Sequence, residues 1–404
     1  MLESREITGK FYEVSENPSE LFPQEPYKAE ALKCALEMMN DCVDFIYEQV
    51  HLSNPKTFKP KIYFSMSDEI NAVSMQREII VHAGLVFSVI KLIDEKYTDE
   101  VLDKYEIVKS LSKKEIRAGL RVYTWRFIVL HELIHIWHSH LAWLNKYKIN
   151  AAGNIETKIA EDKGNNDKQE IGEKVNINVL NIASEEVRQL LLTYQAIELD
   201  ADTCALSMLI NMLMKDTCTR KERGYITNED EYITAEIGLI MGAMATIFSL
   251  FDGNAGAKFE LLKSDLDNMD HPIPAIRMYV AEEVADGMLW KYYPDKEKHF
   301  AIEKAWQHIV CDIEPYYEGE VDMGRVFYYT AYTEKAQRHL EKLRFHFNTM
   351  RETLEKLTLY ILAEKMEDED IKFDSQMVWF TDTGVSTRGW INPATGENAA
   401  IKKE

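Results

Sequence analysis

The sequence predicts an α+β fold that is mainly helical, and three observations point to it. Long stretches without glycine or proline carry apolar residues at spacings of three and four, the period of a helix with one buried face. Two short segments, Lys61 to Met66 and Glu78 to Val81, are rich in β-branched and aromatic residues and read as strands of one small sheet. The run His131-Glu132-Leu133-Ile134-His135 lies in an apolar helical segment (Trp125, Ile128, Val129, Leu130, Ile136, Trp137), where unpaired polar side chains are costly to bury.

The elements follow in order along the chain. Pro23 and Pro26 precede Leu32, Ala35, Met38, Met39, Cys42, Phe45 and Ile46 at helical spacing, which predicts a helix from Tyr27 to about Val50. The two strands come next, the second running into a helix from about Leu85. After the HExxH helix, residues 150–174 are poor in large apolar side chains and rich in Glu, Lys, Asn and Gly, the composition of a mobile insertion. Gln195 to Asp202 then lead into the apolar run Ala205 to Ile210, a second helix. Ile237 to Phe251 is the longest uncharged run, 15 residues. About 20 are needed to span a bilayer, so a buried core helix is expected and no membrane span.

The boundary of a first domain, residues 1–285, is placed before a helical C-terminal region, 286–404. Glu334 to Glu364 lack Gly and Pro and carry Leu340, Leu343, Phe347, Met350, Leu354, Leu357 and Ile361 as an a/d stripe. The stripe offers a homodimer contact from Leu340 to Ile361 or packs back on the chain's own helices. Met377 to Gly384 and Gly389 to Pro393 read as a terminal hairpin with aromatics.

Composition narrows the function classes. With 404 residues the chain is long enough for a large core. A net charge of −21 argues against nucleic-acid binding, which needs clustered Lys and Arg, and steers basic protein substrates favourably. Five cysteines without a CxxC pair argue against a disulfide framework and a cysteine-held zinc. No apolar leader follows Met1, so the expected compartment is the cytoplasm.

The chemistry is carried by the HExxH run. Positions four apart on a helix share a face, so the imidazoles of His131 and His135 can converge on one metal at about 2.0–2.1 Å. Glu132 lies about 100° around the helix, beside the metal, where a general base is placed in this motif. Glu198 and Asp202 share a face of the second helix. Crossing the first, that helix can supply Glu198 as third ligand and Asp202 as the acceptor that fixes a histidine tautomer. Three protein ligands leave zinc (Zn2+) an open position for water. His138 falls on the His131–His135 face of a continuous helix, but three ligands spread over about 10 Å cannot share one ion. The segment offers no glycine or proline to break the helix. His138 and His140 are therefore read as lying beside the site or on the surface.

HExxH, then E-x-x-x-D, then His271-Pro272 with Arg277, in that order, resembles the peptidases related to the CAAX prenyl endopeptidase and bacterial HtpX. The resemblance implies a zincin-like metallopeptidase core with a small antiparallel-edged sheet and an active-site helix. It implies His131, His135 and Glu198 as zinc ligands, Glu132 as general base, Asp202 as supporting carboxylate, His271 as oxyanion donor and Arg277 as the arginine that supports the site. Asn71 to Leu85 is similar to the family's N-A-…-I-x-V-…-G-L stretch. That similarity makes Ile79, Ile80 and Val81 an edge strand that pairs with the substrate backbone. The matches run from Asn71 to Arg277. Unlike the membrane-embedded members, the chain lacks long hydrophobic spans. It is also similar to the Lit-type peptidases of bacterial phage exclusion, which act on a cytoplasmic translation factor. The expected function is a zinc-dependent endopeptidase acting on a protein or peptide substrate, in phage defence or stress response. The alternative is a non-catalytic interaction or sensor protein on a peptidase scaffold, which the intact Glu132 disfavours.

Overall fold

The computed structural model describes residues 2–7, 10–51, 58–75, 77–103, 111–140, 147–149, 155–157, 185–251, 265–269, 271–293, 295, 297, 302, 331, 333–357, 390–391 and 398–399. The architecture is mainly helical with one five-stranded mixed sheet, as the α+β expectation requires.

An N-terminal hairpin, β1 (Glu3–Ile7) with β2 (Lys10–Ser15), opens the chain and was not foreseen from the sequence. After a single turn, α1 (Pro18–Leu21), comes α2 (Pro26–His51), close to the expected bounds. Three strands follow: β3 (Lys61–Ser65), β4 (Ala72–Ser74) and β5 (Glu78–His82). The sheet order is β1-β2-β3-β5-β4, with β3 and β5 parallel and the other pairs antiparallel. The last strand in that order is therefore β4, and β5 is internal. β5 passes directly into α3 (Ala83–Lys96). At that junction the Gly84 amide donates to the Ser67 carbonyl, and a Cβ on Gly84 would stand 2.2 Å from the Asp68 backbone. Glycine is required there by the close approach of the loop between β3 and β4.

A short turn, α4 (Asp99–Leu102), precedes α5 (Lys113–Trp137), the central helix. A capping box starts α5: the Glu115 amide donates to the Ser112 hydroxyl, and the Ser112 amide to the Glu115 carboxylate. From Tyr123 almost every residue of α5 is buried, because α2, α3, β4 and two later helices surround it. Those helices are α6 (Glu185–Glu222) and α7 (Glu229–Phe251). Gln195 to Asp202 and the apolar run Ala205 to Ile210 are parts of the 38 residues of α6. α7 contains the 15-residue uncharged run and is long and apolar enough to cross a membrane. In this fold 78% of its most apolar window is buried, so it serves as a core helix. α8 (Pro274–Tyr292) packs on α6 and α7 with Pro274 in its first turn, where the missing N–H costs nothing.

Several expectations change. The 285/286 boundary falls inside α8, so the first body continues at least to Tyr292. Helix α9 (Glu334–Leu357) docks on α6, with Leu340, Leu343, Phe347 and Met350 buried. That half of the stripe packs within the chain; Leu354 to Ile361 lie outside the described side chains. Of residues 150–174, Ile155–Thr157 form a strand, β7, paired with β6 (Tyr147–Ile149), and the remainder lie outside the described residues. The C-terminal pairing joins β8 (Trp390–Ile391) to β9 (Asn398–Ala399), later in the chain than expected, and residues 377–389 also lie outside the description.

Candidate metal centre

The last two turns of α5 present His131 and His135 to α6. Most other side chains in these turns are apolar and buried in the core, and the two imidazoles meet polar residues of the crossing helix. His131 Nε2 lies 3.0 Å from His135 Nε2 and 3.4 Å from Glu198 Oε2, and His135 Nε2 lies 3.4 Å from Glu198 Oε1. Ligands at about 2.0–2.1 Å on a tetrahedral zinc stand about 3.3–3.4 Å apart. The donor set therefore fits the ion in chemistry and in spacing. All three side chains are nearly buried.

The protein's own charges favour a cation at this point. Burial alone would lower the His131 pKa, but Asp202 and Glu198 beside it outweigh that and raise it to about 10. Burial pushes the Glu198 carboxyl up, yet His271, His131 and His135 prevail and hold it well below the usual carboxylate range. For His135 burial dominates, and its pKa falls well below the ordinary imidazole value.

One turn beyond Glu198, Asp202 lies behind His131. Its Oδ1 is 3.0 Å from His131 Nδ1. Both Asp202 oxygens accept from Arg277, from Nε and Nη2 at 2.7 Å each. The guanidinium is buried, stacks over Phe248 at 4.9 Å and reaches within 3.8 Å of Glu198 Oε2. Asp202 and Arg277 thus lie beside the cluster of His131, His135 and Glu198.

Glu132 is buried on the neighbouring face of α5, and desolvation raises its pKa to about 7, near the value useful in a base at neutral pH. The neighbouring His131 is the main influence opposing that rise. The edge assignment is corrected here. Ile79, Ile80 and Val81 belong to β5, paired on one side with β3 and on the other with β4. The strand beside Glu132 at the end of the sheet is Ala72–Ser74. His271, just before α8, points to the cluster: its Nε2 is 3.9 Å from Glu198 Oε1, and its side chain is 41% exposed, the most open of the group. The turn ahead of it is braced from α6 and α9. Gln195 donates to the carbonyls of Leu266 and Met269, and His339 bridges Gln195 Oε1 and Asp267 Oδ1.

The largest departure from expectation concerns His138 and His140. α5 ends at Trp137 without glycine or proline, because Ser139 takes a left-handed conformation with φ of 58°. Both histidines turn inward and are fully buried. They meet Asp200, which sequence reasoning passed over in favour of the Glu198–Asp202 pair. The signal available was a third acidic residue between Glu198 and Asp202, flanked by Leu199 and Ala201, which needs a partner if that side of the helix is buried.

Compared with family models, curated proteins and solved structures, the chain has no match.

Proposed function

We propose that the protein is a zinc-dependent endopeptidase, held to that chemistry by the tetrahedral spacing of His131, His135 and Glu198. Bound there, zinc would supply Lewis-acid polarisation of a water molecule and of the scissile carbonyl. Glu132 takes the proton of the attacking water and passes it to the leaving amine. Arg277 and Asp202 keep His131 and Glu198 oriented. His271 donates to the oxygen that becomes negative as the carbonyl is attacked. An extended substrate adds to the sheet along β4, which places its backbone beside Glu132.

The direct test is metal content. Purified protein is expected to contain about one zinc per chain, and His135→Ala to lose it, because two remaining ligands do not hold the ion stoichiometrically. Elemental analysis reads both. Full zinc in His135→Ala would remove the assignment.

A second result separates His271 from the ligands. His271→Ala should keep its zinc and lower kcat by about 10²–10³-fold with little change in KM, since the charge it meets exists only in the transition state. Loss of zinc in that variant, or a change confined to KM, would give His271 a different role.

A further inference from the structure

Against the end of α5 lies a second buried polar cluster. His138 Nδ1 is 2.6 Å from Asp200 Oδ2, His140 Nε2 is 3.1 Å from the same oxygen, and His140 Nδ1 is 3.0 Å from His135 Nδ1. We propose that Asp200 and His140 are positioning residues that set the proton on His135, and that their cluster is not a second metal site. The proposal rests on the zinc reading above.

The argument runs through proton counting. An ionised carboxylate only accepts. Asp200 Oδ2 therefore takes an N–H from His138 and another from His140, while Oδ1 takes the Cys204 thiol at 3.7 Å. A neutral His140 whose Nε2–H is so engaged has a bare Nδ1. Two bare nitrogens do not meet at 3.0 Å, so His135 donates its Nδ1–H to His140. The lone pair of His135 is then on Nε2, the atom that faces His131 and Glu198. A metal ligand needs that tautomer, and here a carboxylate fixes it through an intervening imidazole.

The same bonds make the two clusters alternatives. An ion held by His138, His140 and Asp200 would take His140 Nε2 and leave the proton on His140 Nδ1. The bond to His135 would reverse, and the His135 proton would move to Nε2, closing that atom to the first site. Spacing decides between the clusters. Separations of 3.0 to 3.4 Å in the first resemble a tetrahedral edge. The 2.6 Å separation in the second is a hydrogen bond.

Two measurements test this. Zinc affinity, read by competition with a chromophoric chelator, should fall about 10–100-fold in His140→Phe while stoichiometry stays at that of the wild type. His138→Phe, which leaves the bond between His140 and Asp200, should lose less. Independently, isotope-labelled histidine NMR of the metal-free wild-type protein should report His135 protonated on Nδ1 and bare on Nε2, assigned by the signal missing from His135→Gln. His135 found with its proton on Nε2 overturns the proposal, and that spectrum alone decides should His140→Phe not fold. Unchanged affinity in a folded His140→Phe overturns it and leaves the zinc site standing. A wild-type stoichiometry above one that falls in both phenylalanine variants assigns the cluster as a metal site instead. A wild type that binds no zinc overturns both readings.

Discussion

Glu132→Gln is expected to fold and to bind zinc like the wild type while cutting peptide-bond hydrolysis by about 10²–10⁴-fold or more. Glutamine keeps the size of the side chain and one carbonyl oxygen in the same position, so the packing of α5 against β4 should stay in place. What is lost is the capacity to accept a proton. The buried position sharpens the effect, because burial already lifts the Glu132 pKa to about 7, close to the value useful in a base at neutral pH. Initial rates on a peptide that the wild type cleaves from a mixed-sequence library, with zinc content and melting temperature measured alongside, give the result. A biological effect in cells that survives the substitution unchanged would favour the interaction or sensor protein over the enzyme.

Arg277→Leu is expected to cost about 3–5 kcal/mol of stability, the usual consequence of removing one partner of a buried ion pair. Asp202 is held by two bonds from that guanidinium, and its other charged neighbour is a histidine that it shares with Glu198. Desolvation without Arg277 would drive Asp202 toward its protonated form, which cannot hold His131 in place. Urea unfolding with a chelator present separates this loss from that of metal binding. Replacing both partners, Arg277→Leu with Asp202→Leu, should recover part of the loss, since no lone charge is then left buried. A single substitution costing under about 1 kcal/mol would mean that water or another cation reaches Asp202.

The helical frame of the site was legible because its signals are local. His131 and His135, and Glu198 and Asp202, are each one turn apart, and the apolar residues between them announce a buried helix. His271 and Arg277 were found by their likeness to a family pattern and not by periodicity. What was not legible depends on neighbours distant in sequence. A strand of three residues such as Ala72–Ser74 is too short to show alternation, and whether it or Ile79–Val81 forms the edge follows from strand order alone. Ser139 ends α5 in a left-handed turn that serine rarely takes, so the inward course of His138 and His140 had no composition signal. The stripe on α9 reads the same whether its partner is another copy or α6. Leu340, Leu343, Phe347 and Met350 face α6.

The brace at Gln195 has a consequence for thermal motion. Gln195 and Glu198 are three residues apart on α6, so they move as one rigid piece. Through its bonds to the carbonyls of Leu266 and Met269, Gln195 carries the turn that leads to His271. Were α6 to shift against α5, Glu198 and the segment bearing His271 would be displaced together, and the distance between them would be preserved. Errors of placement would then accumulate between α6 and α5, across the gap between Glu198 and the two histidines of α5. On the zinc reading proposed above, that flexible coordinate is the one that an ion would tighten.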